Sequence, residues 1–150
     1  MSRFRGRYDF SVDQKGRINI PSKFRKLLSP AAEETFVICR APDGCLWAYP
    51  KDEWEKFEDS LMHMPISREV NKFQRMLQNT LTDCTLDKQG RISLTPLQMN
   101  ISGINKDVTI IGRGNHLEIW ATERFEEYAG SGEDFDEVYY KTLRLQAGTD

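Results

Sequence analysis

The chain has 150 residues, 39% of them hydrophobic and 29% charged, with a formal net charge of −2, and a chain of this length buries roughly 70% of its unfolded surface, enough for one core or two small fused ones. No apolar run approaches the roughly 20 residues of a membrane helix, and the opening Met-Ser-Arg-Phe-Arg-Gly-Arg lacks the apolar stretch of a signal peptide. Cys39, Cys45 and Cys84 are odd in number and two of them fall in apolar strands, which points to reduced, buried thiols rather than a disulfide scaffold.

In chain order, Tyr8, Phe10 and Val12 alternate with Asp9, Ser11 and Asp13, and Ile18 and Ile20 alternate around Asn19. This period of two predicts half-buried strands on either side of a loop at residues 13–17. Gly16 suits the turn because it reaches left-handed backbone without strain, and Asp13 can accept hydrogen bonds from the backbone just ahead of it. Pro21 ends the second strand and opens a short helix with Phe24, Leu27 and Leu28 on one face. Strands are expected at 36–39 and 45–49, joined by the turn Pro42-Asp43-Gly44. After Pro50, Trp54, Phe57 and Leu61 fall at helical spacing, and after Pro65 so do Val70, Phe73 and Leu77. Beyond a second strand-loop-strand segment, Pro96 opens another short helix. Strands follow at 108–111 and 117–120 around Gly112-Arg113-Gly114-Asn115. Phe125 and Tyr128 mark a helix, and after Gly130-Ser131-Gly132 a last one carries Phe135, Val138 and Tyr139, with residues 146–150 expected to fray.

The chain is internally repeated. Val12-Asp13-Gln14-Lys15-Gly16-Arg17-Ile18-Asn19-Ile20 matches Leu86-Asp87-Lys88-Gln89-Gly90-Arg91-Ile92-Ser93-Leu94 at an offset of 74, and residues 46–54 match 117–125 at an offset of 71. Two copies of one supersecondary unit make up most of the molecule. The expected divisions are a first repeat at 7–54, a helical connector at 55–82, a second repeat at 83–126, and a C-terminal helix and tail at 127–150.

Charge is unevenly spread. Residues 1–26 hold eight basic groups, Arg3, Arg5, Arg7, Lys15, Arg17, Lys23, Arg25 and Lys26, against Asp9 and Asp13, while the rest of the chain carries 13 basic and 21 acidic groups. A basic face on an acidic body suits a polyanion. The Asp and Arg four residues apart in both loops can form an internal clamp, Asp13 with Arg17 and Asp87 with Arg91. At the 74 offset the basic residues of the first copy face neutral ones, Gln89, Leu97, Met99 and Asn100 among them. The binding surface is therefore expected on the first copy, with Arg3, Arg5, Arg7, Lys15, Arg17, Lys23 and Arg25 as DNA-binding residues, and Arg91→Ala is expected to leave binding largely intact.

Enzyme readings find little support. His63 and His116 are the only histidines, both expected to be exposed, and no Cys or His pair has zinc-site spacing. Gly112-Arg113-Gly114 lacks the helix and Lys-Ser/Thr of a phosphate loop. No enzyme activity, metal, cofactor or small-molecule substrate is expected. Trp47, Tyr49, Trp54 and Trp120 occupy matched repeat positions, which favours core over a base-stacking platform.

Asp-Gln-Lys-Gly-Arg-Ile-Asn-Ile-Pro at 13–21 resembles the strand-turn-strand signature of AbrB/SpoVT DNA-binding domains. Two such units in one chain, with the Trp/Tyr-Pro-x-x-x-Trp segment at 47–54, resemble the MraZ family of bacterial transcriptional regulators. The resemblance covers roughly 3–145, and it departs at Leu94-Thr95-Pro96, where the proline has moved by one position. It implies a mainly β, α+β fold in which two swapped-hairpin units form an intramolecular pseudo-dimeric barrel with flanking helices. It also implies a transcriptional regulator, as a repressor, that binds short direct repeats in double-stranded promoter DNA as a ring-like homo-oligomer larger than a dimer. The location implied is cytoplasmic and nucleoid-associated, with no membrane partner. The rival reading is an antitoxin-like or other protein-interaction module of the same fold class, suggested by Glu123, Glu126, Glu127, Glu133, Asp134, Asp136 and Glu137 near the end of the chain.

Overall fold

The computed structural model describes residues 3–130, 132 and 134–148. Residues 149–150 of the expected fraying tail, and Ser131 of the glycine linker, lie outside the described residues, whereas Gln146 closes the last helix. The elements run β1 (Arg7–Ser11), β2 (Arg17–Asn19), α1 (Ser22–Arg25), β3 (Thr35–Arg40), β4 (Leu46–Pro50), α2 (Lys51–Met62), α3 (Arg68–Thr80), β5 (Thr82–Thr85), β6 (Arg91–Ser93), α4 (Pro96–Ser102), β7 (Asp107–Gly112), β8 (Leu117–Ala121), α5 (Thr122–Ala129) and α6 (Phe135–Gln146). The fold is α+β. Among the described residues no helix is long and apolar enough to cross a membrane.

Strand pairing exchanges elements between the copies. A six-stranded antiparallel sheet has the order β1-β7-β8-β4-β3-β5, and β2 pairs with β6 in a separate ribbon. The first strand of each copy thus lies against the third strand of the other, which is the swapped arrangement expected, with a pseudo-twofold between β4 and β8. The expected closed barrel is not formed. β2 and β6 have three residues each and form their strand ladder with each other rather than with the sheet edges. They join edge strands β1 and β5 through the tight loops, each of which contributes a hairpin bond, Asp13 N–H to the Arg17 carbonyl and Asp87 N–H to the Arg91 carbonyl.

The main core lies between sheet and ribbon. Ile18 and Ile92 face each other across the ribbon and are wholly buried with Phe24, Phe36, Ile38, Leu46, Ile110, Leu117 and Ile119. A second cluster, Val37, Cys39, Tyr49, Trp54 and Leu77, packs α2 and α3 on the other face of the sheet, so β3 is buried on both faces. The moved proline has a local cause. Thr95 caps α4 by accepting from Gln98 N–H, and the Gln98 side chain accepts from Thr95 N–H, a reciprocal cap that α1, preceded by Pro21, lacks. Buried Gln98 also donates to the Thr80 carbonyl at 2.7 Å and to Thr82 Oγ1 at 3.1 Å, tying α4 to β5 and its approach.

The cysteines are free, Cys39 and Cys45 buried and Cys84 half-buried. Burial pushes both the Cys39 and Cys45 thiols up to about 12, so neither is a thiolate at neutral pH. His63 is exposed as expected, but His116 is not. Its ring stacks on Tyr49 at 4.4 Å between centroids and meets the edge of Trp47, because β4–β8 pairing carries the β7–β8 turn over the aromatic cluster of the first copy.

Two outcomes follow from these contacts. Gly16 and Gly90 both have left-handed backbone, at φ +76° and +75°, so alanine at either costs about 1–2 kcal/mol. A Cβ at Gly16 would lie 2.7 Å from the Leu94 carbonyl oxygen, whereas one at Gly90 would meet the Arg25 side chain, which can move. Gly16→Ala should therefore lower the thermal midpoint further than Gly90→Ala. Burial, and then the nearby Arg113 charge, hold His116 down to about 4 from an ordinary 6.5. The fold therefore favours the neutral ring, and stability should fall as pH drops from about 6.5 towards 4. Thermal melts across that window should show a shallower decline for His116→Gln.

Candidate nucleic-acid interface

Each loop is built around one carboxylate. Asp13 Oδ1 accepts the backbone N–H groups of Lys15 and Arg17, both at 2.9 Å, and Oδ2 accepts Arg17 Nε–H at 2.6 Å. Asp87 repeats this with the N–H groups of Gln89 and Arg91 at 2.9 Å and Arg91 Nε–H at 2.8 Å. The clamp read from the sequence is present in both copies. Backbone N–H groups first, then the guanidinium, hold both carboxyls below the usual carboxylate range. The clamps thus stay ionised at neutral pH and fix each loop while leaving the guanidinium ends at the surface.

Ribbon pairing brings the loops together. With Ile18 and Ile92 turned inward, Arg17, Asn19, Arg91 and Ser93 line the outer face. Arg91 Nη1 lies 3.8 Å from Asp13 Oδ2, so one guanidinium spans both loops. Lys15 on the first loop and Lys88 on the second are exposed.

The flanking helices cross over. The Arg25 side chain, donating through Nε to the Ile20 carbonyl at 3.1 Å, covers Gly90 of the second loop. At the equivalent position Met99 of α4 lies over Gly16 of the first loop. The exposed Lys23 and Lys26 also belong to the α1 segment. Basic charge from the first copy therefore stands beside the loop of the second, and the neutral residues used to discount that loop, Leu97, Met99 and Asn100, belong to the helix flanking the first loop. Lys88 could have been found in the sequence, since each loop holds one lysine between Asp and Gly, displaced by one position.

The remaining basic residues are elsewhere. Arg3 and Arg5 are exposed on the segment before β1, where Phe4 exchanges backbone hydrogen bonds with Gly114 of the β7–β8 turn. Arg7 begins β1, and at about 3.3 Å per residue it lies roughly 20 Å from Asp13. Its guanidinium pairs with Glu126 at 2.6 Å and Asp9 at 3.2 Å and stands 5.3 Å from the Phe125 ring centroid, locking β1 to α5. The structure brings Lys15, Arg17 and Arg25 to the two-loop face and leaves Arg3, Arg5 and Arg7 at the far end of β1.

A family model described as "MraZ protein, putative antitoxin-like" matches residues 3–80 and again 76–138, one match for each copy. A protein of Lactobacillus delbrueckii subsp. bulgaricus named Transcriptional regulator MraZ is 39% identical over 137 residues, 90% of this chain and 93% of its own. Proteins of the same name from Lachnoclostridium phytofermentans and Thioalkalivibrio sulfidiphilus are 38% identical over 135 residues and 42% over 118, covering 90% and 78% of this chain and 92% and 79% of theirs. Matched over both of its repeats and along nine-tenths of its length by such relatives, the chain belongs to the MraZ family.

Proposed function

We propose that this chain is a non-enzymatic, sequence-specific DNA-binding transcriptional regulator, a repressor, that reads short direct repeats in promoter DNA through the two-loop face. The observation that carries the reading is the β2–β6 pairing, which sets Lys15, Arg17, Lys88 and Arg91 on one surface with α1 beside it. Lysine at a loop tip neutralises phosphate, and an arginine whose Nε is already held by a carboxylate presents its remaining N–H groups in a fixed direction towards base edges. Arg25 and Lys23 widen the face. Arg3 and Arg5 are peripheral to it, and Arg7, committed to its ion pairs, contributes through structure. The relatives' names support regulation of transcription.

The assembly proposed is a ring of protomers, each meeting one repeat, so that modest affinity per protomer is raised by effective concentration. Function in the cytoplasm on nucleoid DNA follows from this reading. The antitoxin-like alternative is favoured instead if a second protein co-purifies in equal amount from the native host.

Binding should be steeply dependent on salt. If four basic groups per protomer meet phosphates, log affinity should fall with log salt at a slope of about −3.6 per engaged protomer. A titration from low to moderate salt measures it, and a flat response overturns the proposal.

The two loops should matter alike. Arg17→Ala and Arg91→Ala should each cost about 1–3 kcal/mol of specific binding. Lys15→Ala and Lys88→Ala, which break no clamp, should each flatten the salt slope by about 0.9 without lowering the thermal midpoint. Affinity loss confined to the first-loop variants would return the binding face to the first copy alone.

A further inference from the structure

Folding leaves two apolar surfaces of this chain bare, on different elements. Every residue of α6 is exposed, yet Phe135, Val138, Tyr139 and Leu143 recur at the spacing of a single helical face, with Phe135 79% exposed and Leu143 39%. A helix of 12 residues is marginal in water on its own, so this stripe calls for a cover that the described residues of its own protomer do not supply. The second surface is an open groove of about 350 Å³ between α3 and the turn after β3, lined by Trp47, Phe73, Met76, Leu77 and Ile101. Phe73 and Met76 remain 40% and 43% exposed there.

Their charges are complementary. Outward residues of α3 include Arg68, Lys72 and Arg75 against Glu69, and the groove lining holds both Arg40 and Asp43, so the positive excess around the groove comes from α3. Leading into and beginning α6 are Asp134, Asp136 and Glu137, with Glu127 on α5 before them, while the basic Lys141 and Arg144 lie in its second half. The acidic start of this apolar helix fits the positive excess that α3 places beside the apolar groove.

We propose that α6 of one protomer docks in the α3 groove of a second copy, a heterologous contact that leaves a groove free at one end and a helix at the other. It rests on the ring assembly proposed above and names the surfaces that join its protomers. Helix in groove is an established way of burying such a stripe, and repetition of one contact covers every stripe and every groove once the ring closes.

The test compares the full chain with an α6 variant, Tyr139→Glu with Leu143→Glu, and a groove variant, Phe73→Glu with Met76→Glu, by sedimentation at micromolar concentration. All four positions are exposed in the protomer, so circular dichroism and affinity for a single DNA repeat should match the parent. The parent should sediment as an assembly larger than a dimer and each variant alone as a monomer. An equimolar mixture of the two should give a dimer, because one intact helix then meets one intact groove. A variant that keeps the parent's mass, or a groove variant that dimerises through α6 alone, overturns this contact and leaves the ring standing. A parent that sediments as a monomer overturns both, while single-repeat affinity still reports on the DNA-binding reading by itself.

Discussion

A strand of three residues cannot hold a place in a protein without a partner, and β2 and β6 form a ladder only with each other. Their pairing is the constraint on which the rest of the structure depends. It seals Ile18 and Ile92 against the sheet core, draws the two loops onto one surface, and obliges β1 and β5 to depart towards opposite edges of the sheet. Once β1 lies at one edge and β5 at the other, each must find its hydrogen bonds on a strand of the opposite copy, β7 and β3. The exchange of strands follows from the shortness of the ribbon together with the tightness of its loops.

Several side-chain locks reinforce the same exchange by running from one copy to the other. Arg7 of the first pairs with Glu126 of the second. Arg124 of the second donates to the Gly44 carbonyl of the first at 2.9 Å. His116 stacks on Tyr49, Arg91 approaches Asp13, and Arg25 covers Gly90. None of these contacts would survive if the copies folded separately, so the two copies form one interlocked body with a pseudo-twofold rather than two tethered modules. The symmetry is looser where it serves packing: the first copy builds its aromatic cluster from Trp47, Tyr49, Trp54 and Phe57, the second from Trp120, Phe125 and Tyr128.

Crossing over also redistributes charge. Basic residues are concentrated in the first 26 positions of the chain, but the exchange sets α1 beside the second loop and α4 beside the first. Each loop then has an ionised clamp, a lysine and an outward arginine, and the basic helix widens the face on the side where the second copy is neutral. A surface that reads as one-sided along the chain is shared in space. Among the described residues, the same folding that closes two halves within one protomer leaves the apolar stripe of α6 and the α3 groove exposed.

How much of this was legible in advance divides by range. The repeat, the alternating strands, the helices after Pro50 and Pro65, and the Asp–Arg clamps depend on residues within a few positions of one another, where backbone period and short side-chain reach leave little choice, and the sequence by itself determined them. Family membership followed from the same local motifs. The tertiary structure alone decided what depends on partners far along the chain. It left the sheet open because two three-residue strands form their ladder with each other rather than with its edges. It buried half of His116 because the β4–β8 register carries that turn onto Tyr49, and it withdrew Arg7 into an ion pair 119 residues away. The basic residues of the first 26 were divided for a simple reason: a strand advances about 3.3 Å per residue, so neighbours in sequence on either side of β1 end at opposite ends of the molecule's edge, while residues 74 apart meet across the ribbon.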